Sequence, residues 1–257
     1  MTIPHLTRLD GERIAITGGA SGMGAALVAA LPALGAKVVS VDLDSDRGGD
    51  IARGAGADFV PGDVADEGSI GGAVDEAVRR MGGLDCLVHA AGISPAGQPE
   101  DVTVDVWDRV MRVNALGTVL ANQAAFRHMR QDGGRILNFA SHAGVLGIPM
   151  KAAYSMSKGA VVAWTRTAAQ AWAAHRITVN MISPAIWTPM FDATRSQLTP
   201  AELDALDESF TRTIPLGGRL GDLTEDFVPP MAFYCSPGAG FITGQIFPLD
   251  GGLLMTR

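Results

Sequence analysis

Consecutive apolar residues form short runs at 13–17, 37–41, 58–60, 84–89, 135–140, 177–182 and 245–249. Their length suits strands, and runs such as "KVVSV" and "CLVHA" lack a polar alternate face, which predicts burial on both sides. Between them, at 23–34, 70–81, 104–129, 153–174 and 225–234, apolar residues return with helical spacing. Strand alternating with helix predicts an α/β fold: one domain over residues 1–257, with a doubly wound parallel sheet of about seven strands and helices on both faces. Pro32 should end or kink the first helix early, because proline has no N–H for its last turn. A long connection at 185–221 interrupts the alternation, carries its own predicted helix at 200–212 and has the length of a lid or binding loop. Glu202, Asp204, Asp207 and Glu208 read as the solvated face of that helix.

Composition narrows the field. Hydrophobic residues make up 47% of the chain and charged ones 18%, yet no apolar run approaches the ~20 residues that cross a bilayer, so no membrane span is expected. A net charge of −7 leaves no basic face to gather phosphates, which argues against a nucleic-acid partner. Cys86 and Cys235 match no metal-ligand spacing; reduced core thiols are expected, and no metal. The opening "MTIPHLTRLDGERIAITGG" lacks a charged segment leading into an apolar block, so a cytoplasmic location is expected.

After the first strand comes "TGGASGMGAAL", with Gly18, Gly22 and Gly24 at the strand-to-helix turn. Gly18 permits a tight turn, Gly22 lets backbone approach a pyrophosphate, and Gly24 lets helix pack on strand; the helix N-terminus adds free N–H groups and positive dipole. In a chain with 32 glycines a packing turn is the competing reading, and the position after the first strand favours the binding one. Asp42 ends the second strand roughly 20 residues further on, where a carboxylate accepts from both ribose hydroxyls of NAD and repels the 2′-phosphate of NADP. Its alternative is a solvated loop aspartate.

One of only two tyrosines, Tyr154, stands four positions before Lys158 in "AAYSMSKGA". On a helix that spacing puts both side chains on one face. A phenol has a pKa of about 10, and a nearby ammonium favours its ionised form, so the pair is suited to general-base work near neutrality. Ser141 precedes Tyr154 at the end of a strand, the ligand edge of an open α/β sheet, and its hydroxyl is placed to donate to a carbonyl oxygen that gains charge. His142 follows it directly and points elsewhere, as a pocket-rim or structural side chain; Tyr234 has no lysine partner and reads as core.

These motifs together resemble the short-chain dehydrogenase/reductase family over nearly the whole chain. "TGGASGMG" is similar to that family's Thr-Gly-x-x-x-Gly-x-Gly turn, "PGDVAD" to its Asp-Val pair, "HAAG" to its Asn-Asn-Ala-Gly segment, "SPAIWTPM" to its segment over the nicotinamide, and "TGQIFPLDGG" to its closing strand. The resemblance implies a Rossmann fold, a catalytic tetrad of Asn114, Ser141, Tyr154 and Lys158, and a homotetramer using the helices at 104–129 and 153–174. Implied cofactor contacts are Gly18, Ser21, Gly22, Met23, Gly24, Asp42, Leu43, Asp63, Val64, Ala91, Gly92, Tyr154, Lys158, Pro184, Ile186 and Thr188. Lys158 would also hold the nicotinamide ribose, and Asn114 a water linking Lys158 to solvent; the alternative for Asn114 is an amide satisfying helix backbone. Thr188 is either a carboxamide contact or a turn threonine before Pro189. Two departures stand out: His89 and Ala90 replace the paired asparagines, removing the usual sheet-bracing side chain, and Ala185 replaces a glycine.

The same layout draws the substrate wall from Ser94, His142, Leu146, Met150, Trp187, Met190 and Phe191, with Val145 and Ile148 beside them. An apolar pocket with few fixed charges suits a hydrophobic secondary alcohol or ketone, although such residues also bury lids and subunit contacts. The leading expectation is an NAD-dependent alcohol dehydrogenase or ketone reductase. Its rivals are a cyclic-diol dehydrogenase or NADP-dependent carbonyl reductase on the same fold, and a non-catalytic dinucleotide-binding sensor.

Overall fold

A computed structural model describes residues 8–255, so the first seven residues of the stretch read for a leader lie outside the described residues. Seven parallel strands form one sheet in the order β3-β2-β1-β4-β5-β6-β7. They are β1 (Arg13–Thr17), β2 (Lys37–Asp42), β3 (Asp58–Pro61), β4 (Cys86–His89), β5 (Gly134–Phe139), β6 (Ile177–Pro184) and β7 (Ile246–Leu249). The chain winds outward from β1 in one direction and from β4 in the other. The C-terminal ends of these two neighbours therefore open onto the crevice where open α/β sheets bind ligands.

Helices cover both faces. One apolar layer packs Val39, Leu87 and Ile136 against α3 (Glu67–Met81), α5 (Gly117–Met129) and α7 (Ala152–Trp172); the other packs Ile14, Val88 and Leu137 against α1 (Gly22–Ala30) and α10 (Val228–Cys235). Cys86 and Cys235 are buried free thiols in the second layer, as expected. Pro32 closes α1 through a 3-10 turn, Leu31–Leu34, and Gly35 completes the exit at φ 98°.

Several elements differ from the expectations, the short helices His142–Leu146 and Pro189–Arg195 among them. α2 (Ser45–Ala55) was not foreseen: its glycines and charges hide the period, but Asp44 caps it by accepting from Arg47 N at 3.0 Å. The helix expected at 104–129 is α4 (Val104–Val110) and α5 joined by a π-helical turn, Met111–Leu116, that contains Asn114. A second π turn, Leu223–Phe227, precedes α10 where one helix was expected to begin at 225. Between β4 and α7 lies the short α6 (His142–Leu146), after β5; between β6 and α10 lie α8 (Pro189–Arg195) and α9 (Pro200–Thr213).

Candidate active site at the crevice between β1 and β4

The turn after β1 builds a cradle. Gly18 adopts φ 74°, and a β-carbon there would sit 2.7 Å from Ala91 N, so this turn presses on the loop that follows β4. At Gly24 an added β-carbon would lie 2.1 Å from Gly18 O, which lets α1 start directly against the turn. Ser21 caps α1 without a side-chain hydrogen bond, leaving the first-turn N–H groups facing a cavity of about 320 Å3. That cavity is lined by Gly18, Ser21, Gly22, Met23, Gly24, Asp42, Leu43, Asp63, Val64, Ala91, Gly92 and Thr188, twelve of the sixteen expected cofactor contacts.

Asp42 is held for use. Its Oδ2 accepts from Ala20 N at 2.9 Å and its Oδ1 from Asp44 N at 3.1 Å, fixing a carboxylate in the wall of the cavity. Asp63 is braced by Ala65 N, which donates to Oδ1 at 2.8 Å. Ile186, whose backbone rather than side chain is the expected contact, turns its side chain into the core against Gly221 and lines neither this cavity nor the next.

The brace that sequence reading placed in doubt is present in another form. His89 Nδ1 and Thr17 Oγ1 are 2.8 Å apart across β4 and β1, with His89 only 1% exposed. This bond ties together the two strand ends that carry the glycine turn and the Ala91–Gly92 loop. Burial, and then the nearby Lys158 charge, push the His89 imidazole down to about 3, so it is neutral, and among the described residues its Nε2 finds no hydrogen-bond partner.

A second cavity, about 140 Å3, continues from the first; Met23, Ala90, Gly92, Ile93 and Met190 border both. Ser141, Tyr154, Lys158 and Pro184 line it, so three of the four expected catalytic side chains converge there beside Ser94. Helix packing sets their spacing. Gly144 on α6 lies so near α7 that a β-carbon on it would meet Lys158 C at 2.5 Å, and only glycine lets the Ser141 end come this close to Tyr154. Lys158 is 5% exposed, donates to Phe139 O at 2.7 Å, and is pushed down to about 8 by burial.

The expected influence of Lys158 on Tyr154 is not what this geometry produces. Burial raises the phenol above its usual value and the Ser141 hydroxyl pulls it back down, while the ammonium points at the Phe139 carbonyl, 5.8 Å from the ring centre. Asn114, fully buried, is not in the cavity lining. Its Oδ1 accepts from Ile93 N at 2.9 Å, and its Nδ2 donates to Ile93 O at 2.8 Å and to Ser157 Oγ at 3.0 Å. This side chain satisfies loop backbone at Ile93 rather than the helix backbone of the alternative reading. It also positions the site, because Ser157 donates in turn to Tyr154 O at 2.7 Å. Ser157 was missed in the sequence although it lies within "YSMSK" on the buried face of α7.

The substrate wall departs most from expectation. Ser94 and Met190 line the second cavity, whereas His142, Leu146, Met150, Trp187 and Phe191 do not. Trp187 and Phe191 pack on each other at 5.0 Å, with the Arg195 guanidinium 5.0 Å from the Trp187 ring and paired with Asp207 on α9. They form the internal cluster of the 185–221 segment. Asp207 and the capping-box residue Glu202 are therefore engaged rather than merely solvated. His142 is half-buried, pushed down by burial and drawn up by Asp250. Leu146, 69% exposed, and Met150 stand outside the cavity. A charge was overlooked: Lys151 Nζ donates to Ser94 O at 2.8 Å and to Ser94 Oγ at 3.1 Å.

Among the described residues no helix is long and apolar enough to cross a membrane, and no acidic, histidine or cysteine cluster forms a metal site. A family model described as Enoyl-(Acyl carrier protein) reductase matches residues 18–254. The 2-(S)-hydroxypropyl-CoM dehydrogenase 3 of Xanthobacter autotrophicus is 38% identical, over 96% of this chain and 98% of the relative. Levodione reductase of Leifsonia aquatica is 33% identical, over 96% of this chain and 95% of the relative. A short-chain type dehydrogenase/reductase structure from Mycobacterium ulcerans superposes with a TM-score of 0.87 at 30% identity, over 97% of this chain and 92% of that one. With a family model matching most of its length, relatives above 30% identity over nearly the whole of both chains and a parallel seven-stranded sheet that superposes on solved members, the chain belongs to the short-chain dehydrogenase/reductase family of oxidoreductases, which use a nicotinamide cofactor.

Proposed function

We propose that this protein is an NAD-preferring oxidoreductase that interconverts a hydrophobic secondary alcohol and its ketone. The observation that carries the reading is the continuity of two cavities: a cradle of about 320 Å3 lined by the glycine turn and Asp42, and a smaller chamber where Ser141, Tyr154 and Lys158 meet. Free amides at the start of α1 fit a diphosphate, and the fixed carboxylate of Asp42 fits a ribose diol and opposes a 2′-phosphate. When bound, the nicotinamide accepts or supplies the hydride.

The side chains supply the rest. Tyr154 takes the hydroxyl proton as an alcohol is oxidised and returns it in reduction. Ser141 donates to the substrate oxygen, where charge develops. Lys158 exchanges a proton close to neutrality because burial brings it to about 8. Asn114, through Ile93 and Ser157, holds the loop and the helix that frame the chamber. The 185–221 segment is a lid stiffened by its own aromatic cluster, and Met190 is its apolar contribution to the chamber. A single domain and the homotetramer expected from the resemblance belong to the same reading.

Reduced-nicotinamide absorbance measured with a panel of secondary alcohols and ketones, with NAD(H) and NADP(H) in parallel, tests it. Tyr154→Phe is expected to lose about 100- to 10,000-fold in turnover while still binding NADH. Full activity in that variant would remove Tyr154 from the chemistry. Wild-type binding of NADH with no turnover across the panel would instead favour the sensor alternative.

A further inference from the structure

We infer that Lys151 and Ser94 form a recognition site for a second oxygen on the substrate, so that the preferred compound is bifunctional: a diketone, hydroxyketone or diol rather than a simple ketone or alcohol. The inference rests on the oxidoreductase reading above and deepens it.

Ser94 lines the same small chamber as Ser141 and Tyr154. Its hydroxyl oxygen accepts from the Lys151 ammonium at 3.1 Å, and the same ammonium donates to Ser94 O at 2.8 Å. An ammonium has no lone pair, so the direction of the hydroxyl contact is fixed: Ser94 Oγ accepts, and its own hydrogen must go elsewhere. Among the described residues that hydrogen finds no acceptor, and Lys151 pairs with no carboxylate. A hydroxyl that accepts from a cation becomes a stronger donor. A polarised donor without a protein partner, in the wall of a chamber that also holds the reacting groups, calls for an acceptor oxygen on the substrate.

The backbone holds the pair in place. Gly97 N donates to Met150 O at 2.8 Å and Ala152 N to Gly97 O at 3.2 Å, stitching the Ser94 loop to the N-terminus of α7 two residues before Tyr154. Recognition oxygen and reacting oxygen are therefore read against one rigid frame. A chamber that hydrogen-bonds a substrate oxygen discriminates against the analogue lacking it, and because Ser94 is half-buried rather than fully buried the expected preference is about tenfold rather than the far larger ratio of a fully enclosed polar group.

The test compares kcat/KM for cyclohexanedione with that for cyclohexanone, in wild type, Ser94→Ala, Lys151→Met and the conservative Ser94→Thr. Wild type is expected to favour the dione by at least about tenfold, and that ratio to fall about tenfold in Ser94→Ala and Lys151→Met and to recover in Ser94→Thr. Wild type showing no preference overturns the inference. So does a parallel loss on both ketones in the variants, which identifies the Lys151 contact as a loop fastening. Absence of turnover on every ketone and alcohol tested removes the oxidoreductase reading itself, and the inference with it.

Discussion

Replacing His89 by asparagine isolates the consequence of burying an imidazole between the two strand ends of the cradle. In the unfolded chain this group titrates at 6.5, while in the folded protein burial and Lys158 hold it down to about 3. Above pH 6.5 neither state carries the proton; below it the unfolded chain takes one up and the folded chain does not, so stability falls as pH falls towards 3. At about pH 5 the loss from this residue alone is about 2 kcal/mol, a large part of a typical folding free energy. Lys158 does not contribute in this window, because at about 8 it stays protonated in both states. Urea unfolding at about pH 7 and about pH 5 measures the loss. Wild type should lose about 2 kcal/mol more than His89→Asn between the two conditions, and surface carboxylates and the other histidines, common to both proteins, cancel. Equal losses would refute the reasoning, since they would mean that His89 takes up a proton in the folded state, through water or a moved neighbour.

Other outcomes follow from the cradle. Gly24→Ala places a β-carbon against Gly18 O, where backbone rather than a flexible side chain must yield, and should weaken NADH binding at least about tenfold with a stability loss of about 1–3 kcal/mol; fluorescence titration and thermal unfolding read both. Asp42→Ala removes the carboxylate that accepts from Ala20 N and faces the cavity, and the ratio of kcat/KM for NADPH over NADH should rise at least about tenfold; an unchanged ratio would mean that Asp42 only shapes the turn.

Features that depend on local sequence were legible. The glycine turn, the strand-end aspartate and the helical Tyr154–Lys158 pair are each fixed by positions close in the chain, and the structure places all of them on the two connected cavities. What escaped depends on contacts between distant segments. Lys151 looks like a surface lysine until the loop 57 residues earlier is folded beneath it, and His89 looks like a loss until Thr17, 72 residues away, is beside it. Trp187 and Phe191 were assigned outward to the substrate because sequence shows apolarity but not direction; an arginine and each other supply the partners that turn them away. The Tyr154–Lys158 pair shows the same limit, since spacing puts the ammonium on the right face but its hydrogen bond to the Phe139 carbonyl decides where it points.

The π-helical turn at Met111–Leu116 works as an angular offset in an otherwise continuous rod. A regular helix advances about 100° per residue, so one surplus residue rotates everything downstream by that amount relative to everything upstream. Upstream, Val110 faces the interior; downstream, Ala121, Ala125 and Met129 do, and Asn114 sits at the seam. Deleting a single residue there would restore regular pitch at the expense of phase, turning either α4 away from its packing on α7 or the apolar side of α5 away from the sheet. The asparagine that clasps Ile93 and Ser157 is thus held in place by a miscount in the winding, and a chain of the same composition but one residue shorter would have no address for it.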